Sequence, residues 1–324
     1  MNPRPSRHSN RSFLQRASIS LAWGLVASSG CLHADNSQTD SPGPSNNSFV
    51  AGTIASLHDR RFSRENARLG LWHPRQYALT TPPGVYFLEP YDPSRVPVLF
   101  IHGIQGSPAD FEQLLDSLDP TRFQAWMYSY ATGEELSIAE EILHEAMREL
   151  GQRYRFGQFA VVAHSMGGLV ARGFILRQRV AGSADNVPLF VSISTPWAGH
   201  SSAQMAVKYA PTVLDVWRDM APGSEYLRTL FSSSLPAGTQ HFLLFTFKRN
   251  RISFGHSGDR TVALSSQLSA AAQKEAVRLI GYDDTHRAVL NDSAVATQVS
   301  DLLHSAFPSP MPNHLSTSDD SHLR

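Results

Sequence analysis

Residues 159–168 read FAVVAHSMGG, an apolar run that ends in a serine between small residues. The run predicts a buried β-strand, and the apolar positions after Gly168 predict a helix. A serine at such a strand-to-helix junction takes a strained turn, and bulkier side chains than Ala163 and Gly167 would collide with neighbouring backbone. The turn exposes the Ser165 hydroxyl at the carboxyl edge of the sheet, facing the helix N-terminus. Ser165 is therefore the predicted nucleophile, although the short pattern by itself also occurs by chance.

Short apolar runs alternate with amphipathic stretches along the rest of the chain. Their continuous rather than alternating character is typical of strands covered on both faces. Strands that alternate with helices predict an α/β fold with a mostly parallel central sheet and helices on both faces. The predicted strands are Pro97–Ile101, Phe123–Tyr130, Phe159–Ala163, Leu189–Ile193, Phe242–Phe247 and Ala276–Ile280.

Two helices carry recognisable start signals. Ser107 followed by Pro108 predicts a helix that runs through Leu118. Ser137 with Glu140 has the spacing of a capping box, which predicts a helix that reaches about residue 154.

A turn at the end of the strand 97–101 supplies a second part of the site. Gly103 lets the backbone turn closely, so that the Ile104 amide can point at the space above Ser165. Together with the Met166 amide, it would form an oxyanion hole. His102, in the same turn, is expected to pack and hydrogen-bond locally.

A serine hydroxyl needs a base, and the base needs an acid to orient it. In folds with this serine turn, the acid follows the nucleophile and the histidine follows the acid. His286 lies after a strand and a polar turn and opens the C-terminal helix, so it is the predicted base. His256 is the alternative.

Asp259 is the predicted acid, because it lies in a loop after the strand 242–247. The 27 positions between Asp259 and His286 leave room for one helix and one strand. Asp219 opens another helical segment, while Asp283 and Asp284 lie too near His286 in sequence to reach round its ring easily.

In this order, these pieces resemble the bacterial lipases and esterases of the α/β-hydrolase superfamily, from about Val96 to Leu303. The elbow 163–167 resembles that of small bacterial lipases, and TPWAG at 195–199 is similar to a segment of triacylglycerol lipases and inositol-deacylase-like relatives. GDRTV at 258–262 is similar to their acid loop, with Arg260 where Gly is frequent. The resemblance implies Ser165, Asp259 and His286 as the triad, with Ile104 and Met166 as oxyanion donors.

Residues 1–34 have the pattern of a secretory signal peptide. A basic start precedes the first acid, Asp35, and a short apolar run from Ile19 to Ala27 leads into small residues. The run is too short to span a bilayer core of about 30 Å. Cys31, the single cysteine, follows Ser-Gly as in a lipoprotein signal, while cleavage after Ala34 is the alternative. We expect an exported bacterial protein, either an outer-membrane lipoprotein anchored through Cys31 or a periplasmic or secreted one.

Composition divides the remaining chain. Residues 35–48 are polar and predict a flexible linker, residues 49–307 predict the α/β domain, and residues 308–324 predict a disordered tail. Within the domain, residues 197–240 are rich in apolar residues and predict a lid or acyl-chain pocket, with ordinary core helices as the alternative.

Charge and motifs exclude several partners. Lys and Arg number 28, as do Asp and Glu, so the net charge is zero and no nucleic acid is expected. The sequence has neither a phosphate-binding glycine loop nor a metal-ligand spacing, so no cofactor or metal is expected.

The sequence therefore predicts a serine carboxylester hydrolase, a lipase or esterase that acts on a lipid or another ester through an acyl-enzyme. An acyltransferase of the same fold and a non-catalytic surface-binding lipoprotein are the alternatives.

Overall fold

The computed structural model describes residues 49–182, 186–248 and 258–308. The predicted signal peptide, Cys31, the linker, the tail beyond residue 308 and the alternative base His256 lie outside these residues.

Eight strands in the described part of the chain form one sheet. Their bounds are β1 Val50–Ile54, β2 Gly84–Phe87, β3 Val96–Ile101, β4 Phe123–Ser129, β5 Ala160–His164, β6 Leu189–Ile193, β7 Gln240–Phe247 and β8 Ala276–Asp283. All six predicted strands are present, with ends that differ by up to three residues.

The strand order is β1-β2-β4-β3-β5-β6-β7-β8, and only the β2–β4 pair is antiparallel. The prediction of a mostly parallel sheet is therefore confirmed. Strand β5, which leads into Ser165, lies in the middle of the sheet, between β3 and β6. The carboxyl ends of β3, β5, β6, β7 and β8 consequently meet at one edge.

Strands β1 and β2 were not predicted from the sequence. Strand β1 contains Gly52 and is partly exposed, whereas β2 has only four residues and follows two prolines. Neither has the long apolar run that predicts a central strand.

The helices described are α1 Arg64–Trp72, α2 Pro74–Thr80, α3 Glu112–Asp116, α4 Leu136–Tyr154, α5 Met166–Val180, α6 Ser201–Tyr209, α7 Asp215–Met220, α8 Glu225–Leu230, α9 Leu264–Gln267, α10 Ala270–Glu275 and α11 Ser293–Ala306. Helices α3 and α11 join a buried apolar cluster with alternate residues of β3 to β6. Helix α4 contacts α5, β1 and β2 and accepts a hydrogen bond from Tyr128 of β4 at the Ala139 carbonyl. Successive side chains along these strands therefore face opposite sides of the sheet, and helices cover both sides.

One of the two predicted helix starts is confirmed, because Ser107 is the N-cap of a helical segment that begins at Pro108. The segment differs from the prediction in being a 3-10 turn, Pro108–Phe111, followed by the short helix α3, which ends at Asp116 and not at Leu118. The capping box at Ser137 is wrong, because α4 begins at Leu136. The carboxylate of Asp219 accepts from the Leu136 amide at 2.7 Å and so supplies the cap from a distant part of the chain.

Glu140, the other half of that expected box, is buried. Its carboxylate accepts hydrogen bonds from Arg177 of α5 and Tyr226 of α8. Glu140 therefore links α4 to α5 and α8, and it does not cap the N-terminus of α4.

Residues 197–240 form α6, α7 and α8 between β6 and β7. Val216, Trp217, Met220, Leu227 and Leu230 are buried, as core helices require. Helix α6 differs, because Met205 and Tyr209 are 53% and 64% exposed. The lid therefore stays a prediction, and α6 is the part of the segment that best fits it.

Candidate active site

Ser165 lies in a sharp turn between β5 and α5, with φ 55° and ψ −130°. This positive φ is unfavourable for a residue with a side chain. The Ser165 amide donates to the Ile193 carbonyl at 2.7 Å and so ties the turn to β6. A Cβ on Gly167 would lie 2.3 Å from the Ile101 carbonyl oxygen, which explains the small residue at that position.

Three distant side chains form one hydrogen-bonded chain at the sheet edge. The Ser165 Oγ lies 2.8 Å from Nε2 of His286, and Nδ1 of His286 lies 2.7 Å from Oδ2 of Asp259. Ser165 is separated from His286 by 121 positions, and the loops after β5, β7 and β8 supply one residue each. The structure thus brings together all three residues predicted as the triad.

Asp259 is fully buried, and both of its carboxylate oxygens accept hydrogen bonds. Besides His286, Oδ2 accepts from Thr246 Oγ1 at 2.7 Å and Gln267 Nε2 at 3.2 Å. Backbone amides of Thr261 and Val262 donate to Oδ1. Burial by itself raises the pKa of Asp259, but the hydrogen bonds and the charge of His286 outweigh it, so the pKa lies below its usual value. The carboxyl group is therefore held as an anion.

The other candidate acids bond elsewhere. Asp219 caps α4, and burial raises its pKa to about 6. Asp283 pairs with Lys248, and Asp284 accepts from the Thr285 amide. Among these carboxylates and Asp259, only Asp259 reaches the imidazole of His286.

The turn after β3 packs directly against the serine. A Cβ on Gly103 would lie 2.7 Å from the Ser165 Cβ, so the backbone there approaches as closely as glycine allows. Gln105, with φ 53°, donates its amide to Thr132 Oγ1 and holds the turn from the side of β4. Ile104 lies between these two anchors. Met166 is the first residue of α5, so its amide has no partner within the helix.

Two histidines near the triad are buried without belonging to it. His102 stacks on Tyr130, and its Nδ1 donates to the Gly103 carbonyl, as the sequence analysis expected of a local packing residue. His164 of β5 contacts the His286 carbonyl oxygen through Nε2 at 2.8 Å.

Sequence reasoning missed Thr246 and His164 as parts of the site. Thr246 is one residue of an apolar strand, and nothing in the local pattern marks it. His164 was visible in the elbow, but its partner is 122 positions away. Gln267 also contacts Asp259, from α9, and nothing in the local pattern assigns it that role.

Two further features concern the described residues alone. None of their helices combines the length and apolarity needed to cross a bilayer. None of their His, Cys, Asp and Glu side chains form a group of three or more able to hold a metal ion.

The arrangement matches a known family. A sequence profile described as the alpha/beta hydrolase family matches residues 98–309, about two thirds of the chain. The chain belongs to the α/β-hydrolase family. The resemblance to the α/β-hydrolase superfamily, drawn from the sequence, is thereby confirmed, while the narrower likeness to its bacterial lipases and esterases stays a prediction.

Solved structures support the same fold. A lipase of Bacillus licheniformis in its mature form is 16% identical, with a TM-score of 0.55 over 68% of this chain and 97% of that one. Lipase B of Aspergillus fumigatus is 14% identical, with a TM-score of 0.51 over 82% of this chain and 62% of that one. No curated protein matches the sequence. At these identities, the likeness concerns the fold of this α/β hydrolase.

Proposed function

We propose that this α/β hydrolase is a serine carboxylester hydrolase, a lipase or esterase. The observation that carries the proposal is the unbroken chain from Ser165 through His286 to Asp259, with contacts of 2.8 and 2.7 Å. A buried carboxylate behind an imidazole that contacts a serine hydroxyl is the arrangement that activates serine for acyl transfer.

The reaction follows from the atoms in contact. His286 Nε2 takes the Ser165 proton as Oγ attacks the ester carbonyl, while Asp259 holds the imidazole by Nδ1 and stabilises its positive charge. Amides of Ile104 and Met166 stabilise the oxyanion. The imidazolium then protonates the departing alcohol. Water, deprotonated by His286, attacks the acyl-enzyme and releases the carboxylic acid and Ser165.

An acyltransferase shares the first half of this mechanism and differs in the acceptor that attacks the acyl-enzyme. The non-catalytic alternative leaves the hydrogen-bonded triad without a purpose, which is why hydrolysis is the function we favour.

The test is hydrolysis of p-nitrophenyl butyrate and palmitate by the wild-type protein, Ser165→Ala and Ser192→Ala. Ser192 is a matched control, because it is also buried and contacts a histidine, His241, at 2.8 Å. We expect kcat/KM to fall by several orders of magnitude in Ser165→Ala only. No turnover of either ester by folded wild-type protein would contradict the proposal, and product formation only with an added alcohol would favour an acyltransferase.

We propose that α6 forms the lid over the acyl site. The helix begins next to the acid loop, where His200 Nε2 contacts the Thr261 carbonyl at 2.6 Å. Met205→Asp and Tyr209→Asp alter exposed side chains, so folding should survive. If α6 is a lid, kcat/KM should fall more with p-nitrophenyl palmitate than with p-nitrophenyl butyrate. Equal losses with both esters would contradict this role.

The N-terminal segment suggests where the enzyme acts. We propose export, with Cys31 as a lipid anchor that brings the hydrolase to a membrane and to ester or lipid substrates. The test is incorporation of labelled palmitate by the full chain in a bacterial host. Cys31→Ser should abolish labelling. An unlabelled wild-type chain would contradict the lipid anchor and favour ordinary signal-peptide cleavage after Ala34.

A further inference from the structure

His164 immediately precedes the proposed nucleophile and contacts the proposed base. It is the last residue of β5, and its Nε2 lies 2.8 Å from the backbone carbonyl oxygen of His286. The two imidazole rings are 4.8 Å apart between centroids. Strand β5 pairs with β3 as far as Ala163 and with β6 as far as His164, so the sheet fixes the backbone that leads to this side chain.

The direction of this hydrogen bond is determined by its partner. A carbonyl oxygen only accepts, so Nε2 of His164 carries the proton. Burial, together with the nearby His286, lowers the pKa of His164 to about 3. His164 therefore stays neutral at neutral pH and keeps donating, even when the imidazole beside it becomes charged during turnover.

Besides its contact with Ser165 Oγ, His286 is held at three points. Its amide donates to the Asp259 carbonyl at 3.1 Å, its Nδ1 contacts the Asp259 carboxylate at 2.7 Å, and its carbonyl accepts from His164. The first two contacts tie the base to the acid. Only the third ties its backbone to the strand that carries the nucleophile.

We propose that His164 is a positioning residue that holds the backbone of His286 at the distance from Ser165 that proton transfer requires. This inference rests on the proposed function. Proton transfer needs a heavy-atom separation of about 2.6–3.2 Å, and a misplacement of about 1 Å can cost roughly 10²-fold in rate. Because the loop that bears His286 has no strand pairing of its own at that residue, an external hold on its carbonyl matters for this distance.

The test uses three substitutions that differ in what they offer the carbonyl. The amide nitrogen of Gln can take the place of Nε2, the amide of Asn is one methylene shorter, and Leu has no donor. The full chain is assayed for kcat and KM with p-nitrophenyl butyrate, for the rate of Ser165 labelling by a fluorophosphonate and for thermal stability. His241→Gln is the matched control, since His241 is equally buried and bonds to Ser192, away from the triad.

We expect His164→Leu and His164→Asn to lose about 10- to 100-fold in kcat and in labelling rate, with KM changed less than about threefold. His164→Gln should recover most of both rates, and His241→Gln should lose stability without losing kcat. Equal activity in the Gln and Asn variants, whether high or low, would overturn the proposal. So would failure of all three His164 variants to fold, since His164 would then be a structural residue. A wild-type protein that neither hydrolyses the ester nor reacts with the fluorophosphonate would instead refute the proposed function.

Discussion

The hydroxyl of Thr246 donates to Oδ2 of Asp259 at 2.7 Å, the same oxygen that contacts Nδ1 of His286. Thr246 is fully buried in β7, and Ser194 Oγ lies 2.7 Å from its hydroxyl. The acid is therefore oriented by the sheet itself, through a side chain on a strand, as well as by the loop that carries it.

Thr246→Val should weaken this support while keeping the shape of the side chain. Loss of a donor raises the pKa of Asp259 and leaves part of a buried carboxylate unsatisfied, at a cost of about 1–3 kcal/mol in unfolding free energy. We expect kcat/KM to fall, by up to about 10²-fold if the imidazole shifts with its acid. Ester hydrolysis and urea denaturation measure the two effects. Thr246→Ser keeps the hydroxyl and should retain most of both, so equal losses in the two variants would contradict this role.

Asp259→Asn tests which carboxylate is the acid. The amide would favour the wrong imidazole tautomer, and a loss of about 10⁴-fold in kcat is expected. Asp283→Asn is the control, because Asp283 lies much nearer His286 in sequence than Asp259 does but pairs with Lys248. Steady-state hydrolysis of p-nitrophenyl butyrate should separate the two variants, and a comparable loss in Asp283→Asn would contradict the assignment.

Gly103→Ala places a methyl group where no space exists. The new Cβ would lie 2.7 Å from the Ser165 Cβ and 3.2 Å from its Oγ. The turn or the serine must move, so we expect kcat to fall by about 10²-fold or more. In contrast, Gly151→Ala adds a methyl within α4, where no atom apart from its chain neighbours and the helix's own backbone lies within 4 Å. This variant should raise stability by about 0.5–1 kcal/mol without changing kcat. Unchanged kcat in Gly103→Ala would argue against the close packing of this turn on the nucleophile.

His241 should make the protein more sensitive to acid. Burial lowers its pKa to about 3, while a histidine in the unfolded chain takes up a proton near pH 6.5. Between about pH 6.5 and 3 the unfolded chain binds the extra proton, so the stability that neutral His241 contributes falls as pH is lowered. Asp219, with its pKa raised to about 6, acts in the opposite direction, so a comparison with a variant is needed.

The measurement is the difference in unfolding free energy between the wild-type protein and His241→Gln, obtained by urea denaturation from pH 7 to pH 4.5. The advantage of the wild-type protein should shrink as the pH falls. A difference that is constant with pH would show that His241 does not contribute in this way.

Local pattern was enough for the centre of the fold and for the identity of its reactive residues. Strand β5, the turn at Ser165 and helix α5 follow from consecutive residues, because strand burial, steric freedom at Gly167 and helix periodicity are all properties of neighbours in sequence. The order of serine, acid and histidine, with the position of Asp259 in a loop after a strand, then favoured Asp259 and His286. Asp219 was excluded because it opens a helical segment, and Asp283 because it lies too near His286 in sequence.

The sequence pattern gave a wrong prediction where the hydrogen-bond partner of a residue comes from a distant part of the chain. Ser137 and Glu140 have the spacing of a capping box, but Asp219 caps α4, and Glu140 pairs with Arg177 and Tyr226 instead. The buried carboxylate of Glu140 needs hydrogen-bond donors, and only the packing of three helices brings Arg177 and Tyr226 to it.

The sequence by itself therefore determined the α/β class, the elbow and which three side chains form the hydrogen-bonded chain. Tertiary structure alone decided what holds them: Thr246 and Gln267 on the acid, and His164 on the base. The physical reason is that the elbow is a local conformation, whereas a buried hydrogen bond forms only where two remote segments meet in the folded chain.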